Sequence, residues 1–106
     1  MAKVQFSPEA RRDLVQIMTW LIETWLIEHR SATVASDYET QFLAAVHRLE
    51  EFPGTGAPRP LLGSNIRIIV VLPYLVIYRG EPESEIIEIV RIIHGSRNIT
   101  TRMLAR

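Results

Sequence analysis

The residues best suited to chemistry lie near the C-terminus, in Arg91-Ile92-Ile93-His94-Gly95-Ser96-Arg97-Asn98. Two arginines and a histidine fall within seven residues, where an apolar run gives way to a glycine. Such a set suits an anion, because guanidinium forks grip phosphate or carboxylate in a fixed geometry and an imidazole exchanges a proton near neutral pH. The functional reading is an arginine-lined site for a phosphodiester or an acidic surface, with His94 as its one proton carrier. Arg59, Arg67 and Arg79 join it if the fold brings their strand ends together. A strand end with solvated charges has the same composition, so at this level both readings stand.

Other chemistries find little support. The chain has no cysteine, which removes disulfides, thiolate metal sites and a thiol nucleophile. No Gly-x-Ser-x-Gly elbow is present for a serine hydrolase. His29, His47 and His94 fall on three different elements without ligand spacing, so no metal is expected. Gly54-Thr55-Gly56 matches neither a P-loop nor a dinucleotide fingerprint and reads as a helix exit, so no cofactor is expected.

Charge supports a local anionic contact and opposes a diffuse one. The formal net charge is zero, yet residues 1–58 hold eight acids and five bases while 59–106 hold four acids and seven bases. No acid follows Glu88, and eleven of the twelve basic residues are arginine. A neutral chain does not coat nucleic acid indiscriminately, but a basic half can meet an anionic surface.

At 106 residues and 47% hydrophobic content the chain is expected to form one domain, residues 1–106, around one core. Lys3 to Phe6 alternates as a short strand, and Ser7-Pro8-Glu9 is a helix start: a capping hydroxyl, a proline that needs no N–H partner, and an acid at the positive end of the dipole. The first helix runs to about His29, with Ala10, Leu14, Ile17, Leu21 and Trp25 as its buried stripe. Trp20 and Ile27 fall off that stripe, so the helix is either buried on two sides or offers an adhesive face to a partner. Ser31 caps a second helix ending near Phe52, whose seam of Ala35, Tyr38, Phe42, Ala45 and Leu49 packs antiparallel on the first. Residues 52–60 are a Pro/Gly-rich crossing loop.

Three apolar strands follow, Ile66 to Leu72, Tyr74 to Arg79 and Glu85 to Ile93, and the tail from Ser96 forms a short last helix. No crossover helix fits between the strands, so they pair antiparallel. The expected fold is α+β, in the order β-α-α-β-β-β, with a helical hairpin on one face of a small curved antiparallel sheet. Because the strands are apolar on both faces, something else must cover the second face. Leu14, Ile17, Leu21, Phe42, Leu49, Ile77 and Ile89 are the expected core. The N-terminus lacks a signal-peptide pattern and no run is long enough to span a bilayer, so the expectation is a cytoplasmic protein without a membrane contact.

Phe6-Ser7-Pro8-Glu9-Ala10, Phe52-Pro53, Arg67, Pro73-Tyr74-Leu75-Val76-Ile77-Tyr78-Arg79 and Arg91-Ile92-Ile93-His94-Gly95-Ser96-Arg97-Asn98 resemble, in this order, the RelE/ParE toxin superfamily. The resemblance covers nearly the whole chain, and Pro-Tyr-x-x-x-Tyr and Arg-x-x-His-Gly-x-Arg are its most specific parts. It implies the toxin of a type II toxin–antitoxin system, in a hetero-oligomer with a cognate, ParD-like antitoxin. RelE-like members cleave mRNA on the ribosome with basic residues and often a C-terminal tyrosine or histidine; ParE-like members poison DNA gyrase. This chain has no tyrosine after Tyr78 and no lysine after Lys3, so its ending is similar to the ParE type. That reading implies gyrase, or gyrase on DNA, as the partner of Arg59, Arg67, Arg79, Arg91, His94 and Arg97. The nuclease alternative would use His94, Arg91 and Arg97 as its catalytic set, and a degenerate member would bind only its antitoxin. Antitoxins of this kind wrap the toxin's helices and sheet edge, which gives the adhesive face of the first helix a use, with Trp20, Trp25 and Ile27 as contacts and Trp20 as anchor.

Overall fold

The computed structural model describes residues 2–29, 33–81 and 84–104, with side chains at all of these except 25–29 and 33–36. Its elements are β1 (Lys3–Phe6), α1 (Pro8–His29), α2 (Thr33–Glu51), β2 (Ala57–Pro58), β3 (Ile66–Val71), β4 (Tyr74–Arg79), β5 (Ile86–His94) and α3 (Thr101–Leu104). The β-α-α-β-β-β order holds, with a two-residue strand and a terminal turn of helix added. Ser31, Trp25, Ile27, Ala35 and Arg106 lie outside the described side chains.

The five strands form one sheet in the order β1-β5-β4-β3-β2. The pairs β2–β3, β3–β4 and β4–β5 are antiparallel, as expected of short connections. The first strand departs from expectation: β1 lies parallel to β5, with Phe6 opposite Ile89, so the sheet is mixed. The α1–α2 hairpin and the three later strands intervene between β1 and β5, and an intervening segment of that size permits a parallel edge.

Ser7 joins the first strand to the first helix. Its buried hydroxyl accepts the N–H of Ala10 at 2.9 Å as the helix cap and donates to the carbonyl of Val90 at 2.7 Å. One side chain therefore starts α1 and fixes it to β5. Val90 is also a bulge, because Ile77 pairs with Arg91 while Tyr78 pairs with Ile89. The extra residue resets the alternation of faces along β5. Ile87, Ile89 and Ile92 face the helices with Ala10, Phe42, Leu49 and Tyr78. Val90 and Ile93 face the other way with Ile66, Ile68, Ile77 and Leu104.

That second face is closed by the C-terminal tail, with Leu104 buried and Ile99 and Met103 partly so. Of the expected core, Leu21, Phe42, Leu49, Ile77 and Ile89 are buried, while Leu14 and Ile17 pack against the core from a partly buried position.

The loop after α2 is bound to the sheet by two side chains. The hydroxyl of Tyr78 donates to the Pro53 carbonyl at 2.8 Å and accepts the buried Gly56 N–H at 2.9 Å. Arg67 donates to the carbonyls of Gly56 at 2.7 Å and Gly54 at 3.2 Å. Position 56 has no room for a side chain, since a Cβ there would stand 2.6 Å from the Tyr78 oxygen. Burial raises the Tyr78 phenol above its usual range, opposed by the Gly56 hydrogen bond and the Arg67 charge. Tyr78→Phe leaves the Gly56 N–H without an acceptor, and an unmade buried hydrogen bond costs about 1–3 kcal/mol. Thermal unfolding is expected to fall by about 5 °C or more, and a melting curve matching wild type would show that the loop holds without the hydroxyl.

Candidate functional site

The antiparallel hairpin of β4 and β5 decides which basic residues share a region. Arg79 pairs with Glu88 at one end of it, and Tyr74 pairs with His94 at the other. A strand rises about 3.3 Å per residue, so the two ends of β4 stand roughly 17 Å apart. Arg67 lies opposite Tyr78, near the Arg79 end, and is occupied with the Gly54–Gly56 carbonyls. Arg59 precedes the 3-10 turn Pro60–Leu62 beside that end, and Arg79 comes within 4.0 Å of Glu88. His94 and Arg97 occupy the opposite end. The six sequence-selected residues are thus not one site but two ends of a sheet with Arg91 between them.

Arg91 is held tightly. Its Nε donates to Asp13 Oδ2 at 2.7 Å and its Nη2 to Asp13 Oδ1 at 3.0 Å, a forked pair between β5 and α1. Its Nη1 donates to the carbonyl of Met103 at 3.2 Å, which ties α3 into the same cluster. The two side chains are only 19% and 12% exposed. The guanidinium is pushed above its usual value, chiefly by the Asp13 hydrogen bond, against the opposing effect of burial and with help from the charges of Asp13 and Glu9. Asp13 Oδ2 also accepts the Ile92 N–H at 2.9 Å. Beyond Phe6 no strand among the described residues covers β5, so Ser7 and Asp13 side chains take over the hydrogen bonding of that edge.

His94 is exposed and its protonation pattern is fixed by its neighbour. Ser96 donates its backbone N–H to Nδ1 at 3.1 Å, and the Ser96 hydroxyl lies 2.8 Å from the same nitrogen. Nδ1 is therefore the acceptor, and in the neutral ring the proton sits on Nε2, which is left as a donor on an exposed residue. The ring meets Tyr74 edge-on at 5.6 Å. Burial raises the Tyr74 phenol above its usual range, with the nearby Tyr38 adding to the effect, so it is a poor proton donor.

Two surface depressions flank α1. The first, about 380 Å³, is lined by Asp13, Gln16, Ile17, Trp20, Tyr74 and Ile92 together with Ile93, His94 and Arg97. The second, about 580 Å³, runs between α1 and α2 and is almost wholly apolar, with Val15, Met18, Ile22, Phe42, Leu43 and Val46 in its walls. Val15 (64% exposed), Leu43 (55%) and Ile22 (41%) are large apolar groups left in water. Successive helical residues turn by about 100°, which places Trp20 about 160° from Ile22 around α1. Trp20, 55% exposed, is thus off the core stripe as expected, but it faces the basic cleft and not the apolar groove. Sequence reading missed Val15, Met18, Ile22 and Leu43. Val15, Met18 and Ile22 repeat at steps of three and four, a second stripe in plain view.

No cluster of His, Asp or Glu among the described residues is arranged to hold a metal ion. No helix among them is long and apolar enough to cross a membrane.

Residues 4–99 match the sequence profile described as the ParE toxin of type II toxin-antitoxin system, parDE. The chain belongs to the ParE toxin family. The ParE match takes in both flanks of α1, the bulged β5 and the His94–Arg97 end. A solved structure described as the chromosomal ParDE TA system from P. aeruginosa superposes with a TM-score of 0.64 at 20% identity, covering 89% of this chain and 96% of that one. At that identity the likeness is one of fold. No curated protein sequence matches the chain.

Proposed function

We propose that this ParE-family chain acts in the cytoplasm as a toxin that binds and inhibits DNA gyrase, and that a cognate antitoxin neutralises it. The observation that carries the choice of binding over cleavage is the occupied state of two of the three residues of the alternative catalytic set, Arg91 and His94. Arg91 is committed to Asp13 and Met103, and the acceptor nitrogen of His94 is taken by Ser96. A general base needs a free lone pair within reach of the proton it abstracts, and the neutral His94 ring offers only an Nε2–H. What faces solvent is a set of donors, Nε2–H of His94 and the guanidinium of Arg97, which suits an acidic or phosphate-bearing partner.

The antitoxin is assigned to the apolar groove between α1 and α2. An amphipathic helix laid in a groove needs a row of apolar contacts at helical spacing, and Val15, Met18 and Ile22 with Leu43 opposite supply them.

The deciding experiment is supercoiling by purified gyrase in the presence of the chain. Supercoiling is expected to stop, and His94→Ala is expected to keep inhibition within about tenfold, whereas a general acid–base residue contributes 10²–10⁴-fold, roughly, to a cleavage rate. Undisturbed supercoiling together with cut mRNA in programmed ribosomes would replace gyrase with the ribosome as target.

A further inference from the structure

The cleft beside Trp20 has a composition that inhibition of gyrase by protein contact does not require. The indole of Trp20 is more than half exposed, and Trp20, His94 and Arg97 line the same depression. Arg97 makes no ion pair among the described residues. The one acid in the lining among the described residues, Asp13, is neutralised by the forked contact with Arg91. The net field in the cleft is therefore that of a cation beside an aromatic face. Its volume of about 380 Å³ is within the size range of small-ligand sites.

Two occupants would suit a cation-plus-aromatic site: an acidic peptide in extended form, or a nucleotide. Strand addition along the open edge of β5 is the usual way for an extended peptide to bind such a place, since the peptide's backbone completes the ladder. Here Asp13 already accepts the Ile92 N–H, so that ladder is blocked at its middle. A nucleotide needs no ladder. It needs a flat face for the base and donors for a phosphate, and it gains from a side-chain amide near the base edge, which Gln16 provides.

We propose that this cleft binds one nucleotide unit of single-stranded nucleic acid, the base stacked on Trp20 and the phosphate held by Arg97 and the Nε2–H of His94. No bond is made or broken; the site is a grip. Its location, on the flank of α1 opposite the apolar groove, leaves it open when a partner helix occupies that groove. Binding here needs neither gyrase nor antitoxin, although His94 and Arg97 are the same donors that the reading above turns toward the target.

The test is binding of a fluorescently labelled (dT)12 strand to the full chain, followed by anisotropy across a salt series. Base–aromatic stacking is worth about 1–3 kcal/mol per base, or roughly 5- to 150-fold in affinity. Trp20→Ala is accordingly expected to weaken binding tenfold or more, and Trp20→Phe to restore most of it. Arg97→Ala should flatten the dependence of log K on log salt by about 0.7, the value for one phosphate on a single strand. Leu43→Glu, on the opposite flank, should leave the oligonucleotide affinity as it is. In a Trp25→Phe background the remaining indole should also be quenched by the strand, and circular dichroism of every variant checks the fold. Equal affinity for wild type and a folded Trp20→Ala would overturn the proposal, as would no binding at all, or tighter binding of a Glu-rich peptide that displaces the strand. A chain that ignores the oligonucleotide yet stops supercoiling would remove this site and leave the gyrase reading standing.

Discussion

Asp13→Ala is expected to lower the free energy of unfolding by about 3 kcal/mol, the low end of what removing one partner of a buried ion pair costs. The carboxylate accepts three hydrogen bonds at once, two from the Arg91 fork and one from the Ile92 N–H. Its loss leaves a guanidinium that is mostly buried without its counter-charge, and an edge N–H of β5 without an acceptor. The nearby negative charge of Glu9 remains and softens the first of these losses. Asp13→Asn keeps an acceptor for Ile92 but not the charge, so it should fall between wild type and Asp13→Ala. The double variant Asp13→Leu/Arg91→Met removes the unpaired charge altogether and should recover much of the loss, because buried ion pairs can often be replaced by apolar groups without penalty. Urea unfolding midpoints of the four chains make the measurement. Arg91→Ala should likewise unfold early yet keep its potency against gyrase per folded molecule. A variant as stable as wild type but without potency would instead place Arg91 at the target.

What could be read from the sequence is what local chemistry decides. Ser7-Pro8-Glu9 announces α1 because capping involves residues three or four apart, and the hydroxyl of Ser7 does cap Ala10. The strands announce themselves because Ile, Val and Tyr runs broken by Pro73 and by Gly80 have few other solutions. The same hydroxyl also reaches Val90, 83 residues away, and nothing local to either residue hints at it. The parallel place of β1 beside β5 belongs to the same class. So does Asp13 with Arg91, separated by 78 residues: each looks like an ordinary surface charge until the edge of β5 is found to lack a strand there.

The faces of β5 were not legible, for a different reason. Counting by twos from Ile87 puts Arg91 on the helix side with Ile89, but the bulge at Val90 shifts the count, and Ile92 takes that side instead. A bulge leaves no reliable mark in a run of Ile and Val. The groove, by contrast, was readable. Val15, Met18 and Ile22 lie next to the core stripe of α1, and Leu43 directly follows the core Phe42. The two tryptophans, the largest apolar groups on the helix, point instead to a partner face at Trp20.

Leu43→Glu is expected to weaken antitoxin binding by about 2 kcal/mol or more, some thirtyfold, with little change in folding. Leu43 is more than half exposed in the free chain, so an acid there remains solvated and the fold loses almost nothing. In the complex the same position would be covered. A glutamate would then lose its water without gaining a partner, and the leucine's contribution to the apolar contact would be gone as well. Val15→Glu, across the groove on α1, should act in the same direction, and the two together should be close to additive if a single helix spans both walls. Trp20→Ala, on the opposite flank, is the control and should bind antitoxin like wild type. The measurement is titration calorimetry with the cognate antitoxin, paired with melting curves to confirm that each variant is folded. If Leu43→Glu binds normally while Trp20→Ala does not, the antitoxin lies on the basic cleft, and the apolar groove must be covered by something else.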